Sequence, residues 1–199
     1  FNEIIDYFTS EYRQARTPNP CVLCNRLMKF GRLWQFAASH GADFIATGHY
    51  AQIRCVNGTS CLFQAQDAGK DQSYVLHVLD QKQISQAMFP LGEFTKPQVR
   101  QMAHEFGLPV AERADSQDLC FLGNNSYQEF LKRYAPQTQT PGPILDEQGN
   151  QLGQHNGLAN FTIGQRKGIR VAGPRPFYVL RKELQTNSLI IGPQEALGE

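Results

Sequence analysis

A chain of 199 residues with 41% hydrophobic content is long enough to bury a substantial core, and a formal charge of +1 gives it no bulk attraction to a polyanion. No stretch approaches the roughly 20 uninterrupted apolar residues of a membrane span, and the opening FNEIIDYF is amphipathic rather than a secretory signal. Five irregularly spaced cysteines do not make a secreted disulfide framework, so a cytoplasmic globular protein with reduced thiols and no membrane association is expected.

The sequence opens at Phe1 without a methionine and runs directly into helical periodicity, which reads as a piece cut from a longer protein. Ile4, Ile5, Phe8 and Tyr12 recur at helical spacing over residues 1–14, and Pro18 and Pro20 then force an extended loop. From Asn25 a second amphipathic helix is expected, with Leu27, Phe30, Leu33, Trp34 and Ala37 on one side and Gly41 closing it. Residues 43–47 are short, apolar and bounded by glycine. They read as a buried strand feeding the loop Gly48-His49-Tyr50, which is an α/β pattern.

Residues 52–56 and 61–65 flank Asn57-Gly58, the dipeptide favoured where both central turn residues need positive φ, and so form a hairpin. Helices follow around 73–79 and over 96–106, the latter with Thr95 as cap, Pro97 in its first turn and Gly107 at its end. Ser126 and Glu129 match a capping box opening a helix to about Tyr134. Beyond Pro136, glycine and proline become frequent, and strand-like runs at 142–145, 158–163, 177–180 and 188–191 alternate with turns. A domain boundary between about 115 and 125 separates an α/β domain, residues 1–118, from a small mostly β domain, residues 119–199.

Charge is clustered even though the total is small. Arg13, Arg16, Arg26, Lys29 and Arg32 lie near the start, and Arg166, Lys167, Arg170, Arg175, Arg181 and Lys182 form a run without acids. Either group is a solvated face or a phosphate-contacting one. The densest group of reactive residues is Thr17-Pro-Asn-Pro-Cys-Val-Leu-Cys-Asn25, two cysteines on a proline-stiffened loop entering a helix. Helix N–H groups and Arg16, Arg26 and Lys29 favour thiolates there, whereas the ordinary fate of cysteine is a small buried hydrophobe. A closed zinc site lacks two further ligands, and a redoxin C-x-x-C follows a strand directly. Cys120 lies at the expected boundary, and Cys55 and Cys61, across the hairpin, are assigned to packing.

Read together, Thr17-Pro-Asn-Pro-Cys-Val-Leu-Cys-Asn25, Ala46-Thr-Gly-His-Tyr50, Lys70-Asp-Gln-Ser-Tyr74, Ala114-Asp-Ser-Gln-Asp-Leu-Cys-Phe121 and Thr162-Ile-Gly-Gln-Arg-Lys-Gly168 resemble, in order, the motifs of the bacterial and mitochondrial tRNA-specific 2-thiouridylases, a family once labelled as methyltransferases. The resemblance covers nearly the whole chain. It implies the C-terminal part of a Rossmann-like ATP-binding domain of the adenine nucleotide alpha hydrolase type, followed by a small β-rich domain that helps hold tRNA. The implied reaction uses ATP, with Mg2+, to adenylate the C2 oxygen of the wobble uridine, and a cysteine persulfide then delivers sulfur. Cys120 is the implied persulfide carrier and Cys24 the second active thiol, a pair able to form a disulfide. Asn19, Pro20 and Cys21 line the target-base pocket, Gly48 lies where backbone approaches ATP, and His49, Lys70, Asp71 and Gln72 meet tRNA. A sulfur-donor relay protein is the implied partner.

Two departures stand out. The family's Ser-Gly-Gly-x-Asp-Ser pyrophosphate loop is expected upstream of Phe1 and its C-terminal barrel after Glu199. The Cys21 position is an aspartate in other members, which raises the alternative of Cys21, Cys24 and Cys120 as three ligands of a [4Fe–4S] cluster. The alternative from another class is a non-catalytic RNA-binding module.

Overall fold

The computed structural model describes residues 2–112, 119–123 and 125–198. In chain order its elements are α1 (Asn2–Arg13), α2 (Pro20–Cys24), a π-helical segment (Asn25–Leu33), α3 (Trp34–Ser39), β1 (Ile45–Ala46), β2 (Ala51–Val56), β3 (Thr59–Gln64), α4 (Gln81–Ser85), β4 (Ala87–Met88), α5 (Lys96–Glu105), α6 (Tyr127–Tyr134), β5 (Gly142–Leu145), β6 (Gln151–His155), β7 (Tyr178–Glu183) and β8 (Ser188–Gly192). The chain forms two compact units, one of Pro20–Asp118 and one that combines Asn2–Asn19 with Leu119–Glu199. α1 belongs to the second unit because it carries its apolar face there.

In the first unit, helix begins at Pro20 rather than at Asn25. Proline suits the opening position of a helix, where its missing N–H is not needed and its φ is already helical. Cys21 and Cys24 consequently lie in helix and not on a loop. The next nine residues are wound as a π-helix, so that the Trp34 N–H reaches back five residues to the Lys29 carbonyl. Two carbonyls of this segment also take donors from outside it. Gln83 supplies them, its side-chain amide donating to the carbonyls of Arg26 and Phe30, both at 3.0 Å.

β1 pairs in parallel with β4, Ile45 opposite Ala87, and this parallel pair is the α/β element of the unit. β2 and β3 form the expected hairpin, Val56 opposite Thr59, with φ of 51° at Asn57 and 79° at Gly58. Its register sets Cys55 against Ser60 and Cys61 against Arg54, and Cys55 is exposed, so packing does not account for Cys55. Residues 73–79 hold only a 3-10 turn, Ser73–Val75, where a longer helix is expected from the sequence. Phe30, Ala51, Val75, Leu76, Leu79, Ile84 and Phe89 make the buried core. Gly92 is fitted against β2, since a Cβ there would fall 1.8 Å from the Ala51 carbonyl oxygen.

The second unit is built on a four-stranded sheet in the order β6-β5-β8-β7, with β5 and β8 parallel and the outer pairs antiparallel. β6, with Leu152 as its one large apolar residue, is not marked by the sequence pattern, and residues 158–163 form a 3-10 turn and loop rather than a strand. Ile144, Val179, Leu189 and Ile191 fill the core under the sheet. A second cluster joins α1 to α6: the Phe8 ring meets Tyr12, Phe121 and Phe130 edge-on at centroid distances of 4.9, 5.1 and 5.9 Å. Ser126 opens α6 through the expected capping box with Glu129.

Candidate active site

The first unit gathers several motif residues that are far apart in sequence. Asn25, at the start of the π segment, is 1% exposed, and its Nδ2 donates to the Val75 carbonyl at 3.0 Å. Its Oδ1 is buried with no partner among the described residues. One turn on, Lys29 Nζ stands 3.4 Å from His49 Nε2, and His49 Nδ1 stands 2.7 Å from Thr47 Oγ1. His49 is 8% exposed and packed between the rings of Phe30 and Phe89. Burial first, and then the Lys29 ammonium, push its imidazole down to about 4. The ring is thus neutral at pH 7, accepting from Lys29 at Nε2 and donating from Nδ1 to Thr47.

The next loop is tied to the same place. Gln72 accepts from the Tyr50 N–H through Oε1 at 3.1 Å, and its own N–H donates to the Tyr50 carbonyl at 2.8 Å. Asp71 accepts from the Ala65 N–H at 2.7 Å and from the Ser73 hydroxyl at 2.6 Å. Both Asp71 oxygens and the Gln72 carboxamide oxygen therefore hold the loop in shape. Lys70 is exposed, its N–H bonded to the Asp67 carbonyl. At Gly48 an added Cβ would meet only Leu91 Cδ1, at 3.7 Å, so the backbone there has an open face that a nucleotide could approach.

Of the thiols in the motifs, Cys21 is exposed and Cys24 half-buried in the first unit, while Cys120 is exposed in the second, and no disulfide joins the described cysteines. Asn19 also belongs to the second unit. Residues 114–118 of the Cys120 motif lie outside the described residues. Among the described residues, no three His, Cys, Asp or Glu side chains are arranged to hold a metal ion, which leaves the iron–sulfur alternative without geometric support.

Several of the clustered cations have structural partners. Arg16 is ion-paired with Glu11, and Arg13 donates to the Tyr134 carbonyl. Arg181 pairs with Glu183, and Lys182, lowered to about 8 by burial, donates to the Phe161 carbonyl. The Asn25 and Lys29 pair was not expected from sequence. Two polar residues four apart on the inward face of an otherwise apolar helix are its only signal.

The model of the tRNA methyl transferase HUP domain matches residues 1–124. The chain belongs to that family. In the HUP family the nucleotide-binding domain is Rossmann-like, and here it is followed, over residues 128–193, by a match to the tRNA methyl transferase PRC-barrel domain. Proteins named tRNA-specific 2-thiouridylase resemble this HUP-family chain throughout. The one from Halothermothrix orenii is 46% identical over 194 residues, covering 97% of this chain and 54% of its own length. Those from Magnetococcus marinus and Treponema denticola are each 47% identical, over 98% of this chain and 54% of theirs. The chain spans about half the length of the curated relatives it matches.

Proposed function

We propose that the protein carrying this chain is an ATP-dependent tRNA-uridine 2-sulfurtransferase, acting on the wobble uridine in the cytoplasm. The observation that carries the reading is the convergence, in one unit, of the helix bearing Cys24 with the Lys29–His49 pair and the Gln72–Tyr50 link, three separate motifs tied by side-chain contacts. ATP with Mg2+ would convert the uridine C2 oxygen into a leaving group. Gly48 offers the open backbone for it. Asn19, Pro20 and Cys21 would border an extruded base, since C2 of a stacked uridine is out of reach.

The terminal sulfur of a Cys120 persulfide, loaded by a sulfur-donor protein, attacks C2, and AMP leaves with the former oxygen. The Cys24 thiolate then attacks the Cys120 sulfur. Thiouridine departs, and a Cys24–Cys120 disulfide remains for later reduction. His49, Asp71 and Gln72 serve tRNA by fixing the loops that meet it, because the ring nitrogens of His49, both carboxylate oxygens of Asp71 and the carboxamide oxygen of Gln72 are engaged within the protein. Lys70 supplies a charge at the loop surface.

The test uses the intact protein with tRNA, ATP and a sulfur source, read by retardation of thiolated tRNA in mercury-containing gels. Cys24→Ser and Cys120→Ser are each expected to abolish thiolation while retaining tRNA-dependent release of pyrophosphate. Cys21→Ser is expected to stay active with no iron bound. Full activity in both of the first two variants would sink the assignment, and iron-dependent activity lost in Cys21→Ser would replace the persulfide pair with a cluster.

A further inference from the structure

The second unit contains a cleft of about 610 Å3. Six of its lining residues are carboxamides, two are cations, Lys132 and Arg170, and none is a carboxylate. On a protein with 19 basic and 18 acidic residues, the lining of this cleft is net positive.

Part of the lining is committed to building the walls. His155, 2% exposed, accepts from the Gly157 N–H at Nδ1 and so donates from Nε2 to the Asn187 carbonyl. Asn160 Nδ2 is held by Gln139 Oε1 and by the carbonyls of Asn156 and Gly157. Gln165 braces its own turn, accepting from the Thr162 N–H and donating to the Lys167 carbonyl. The side chains of Gln154, Asn156, Lys132 and Arg170 form no hydrogen bond among the described residues, all four are exposed, and Lys132 has only a charge attraction to Glu129, one turn away on α6.

Arg170 has a φ of 60°, a left-handed conformation that costs a non-glycine residue energy and recurs at binding sites. It also lines a second cavity of about 450 Å3, together with Arg166 and Arg175 and again no acid. The segment Gly168-Ile169-Arg170 is common to both cavities.

We infer that this cleft holds one unstacked nucleotide of a single-stranded stretch of RNA, the base against Gln154 and Asn156 and the flanking phosphates on Lys132, Arg170 and the arginines beyond it. A carboxamide presents a donor and an acceptor side by side, the complement of a base edge, whereas a phosphate alone calls only for cations. The major groove of double-stranded RNA is too deep and narrow for side chains to read, and its shallow minor groove is recognised mostly by shape, so a base read by side chains is one splayed out of a loop. The absence of carboxylates removes the repulsion a phosphate chain would otherwise meet. This inference rests on the part of that reading in which the protein binds tRNA, and adds a reading site distinct from the one that receives the reacting uridine.

The experiment measures binding of tRNA and of a single-stranded RNA oligonucleotide to the intact protein across a range of salt. Lys132→Ala with Arg170→Ala is compared against Gln154→Ala with Asn156→Ala, with thermal unfolding as the check on folding. The cation pair is expected to weaken binding by tenfold or more at low salt and to lower the slope of log affinity against log salt by about 1 to 2. The amide pair is expected to keep the slope but to lose discrimination among oligonucleotides of different sequence. Unchanged binding and selectivity in both folded variants would overturn the cleft proposal, as would binding of inorganic phosphate that fully displaces the oligonucleotide. If the parent protein thiolates tRNA but both variants behave like it, only this inference fails. If the parent binds RNA through the cleft and thiolates nothing, the enzymatic reading fails and this one stands.

Discussion

His49 is a loop residue that faces inward. With both ring nitrogens engaged and only 8% exposure, it shapes Gly48 and Tyr50 from behind instead of reaching toward RNA. Its imidazole is lowered from 6.5 to about 4. A depressed histidine favours the neutral form in the fold, so its contribution to stability is whole above the unfolded value and is lost as pH falls between about 6.5 and about 4. Allowing for the screening that water provides at a partly covered ring, the loss is about 1 to 2 kcal/mol. His49→Gln, which keeps an acceptor for Lys29, is expected to flatten that acid limb when denaturant midpoints are followed across pH. An unchanged limb would show that the ring titrates as it does in water.

At the scale of elements, the π segment depends on a residue from another helix. Gln83 completes the capping box of α4, accepting from the Asp80 N–H, while its amide holds the carbonyls of Arg26 and Phe30. Gln83→Ala leaves these carbonyls without that donor and is expected to cost about 1 to 3 kcal/mol. Hydrogen exchange should rise first in Asn25–Leu33, and equal protection there in parent and variant would argue that water replaces the amide at no cost.

What the sequence reveals is the local pattern. Thr95 with Gln98, Ser126 with Glu129, and Asn57-Gly58 act within a few residues, and each forms where expected. α4 and β6 carry too few apolar residues, Ile84 and Leu152, to leave a periodic signal, and they exist because partners hold them. The start of helix at Pro20 was hidden by reading Pro18 and Pro20 only as breakers, although the second of them is also a helix opener. Within the candidate site, the motif residues were legible as a set. The internal bonding of Asp71 and Gln72 was not, because their partners Ala65 and Tyr50 come from other turns.

At the scale of the whole molecule, α1 belongs to the unit completed by the other end of the chain. Phe8, 1% exposed among Tyr12, Phe121 and Phe130, is central to that contact. Phe8→Ala is expected to destabilise the second unit by about 3 to 5 kcal/mol. The sole tryptophan, Trp34, lies in the first unit, so its fluorescence reports that unit alone. Its unfolding midpoint should stay where it is while the transition followed by far-ultraviolet circular dichroism gains an earlier step. A matching fall in the Trp34 midpoint would mean that the two units unfold together.

The hydrogen bond from Arg13 to the Tyr134 carbonyl spans 121 positions. During synthesis α1 leaves the ribosome before α6, and at about 5 to 20 residues per second it waits roughly 6 to 24 seconds for α6 to appear. Through that interval Phe8 and Tyr12 lack the side chains of Phe130 and Leu131 that cover them in the fold. The newborn chain thus carries α1 with its apolar face uncovered until α6 emerges, which makes α1 a segment in need of a chaperone and a place where a change in translation speed would be felt.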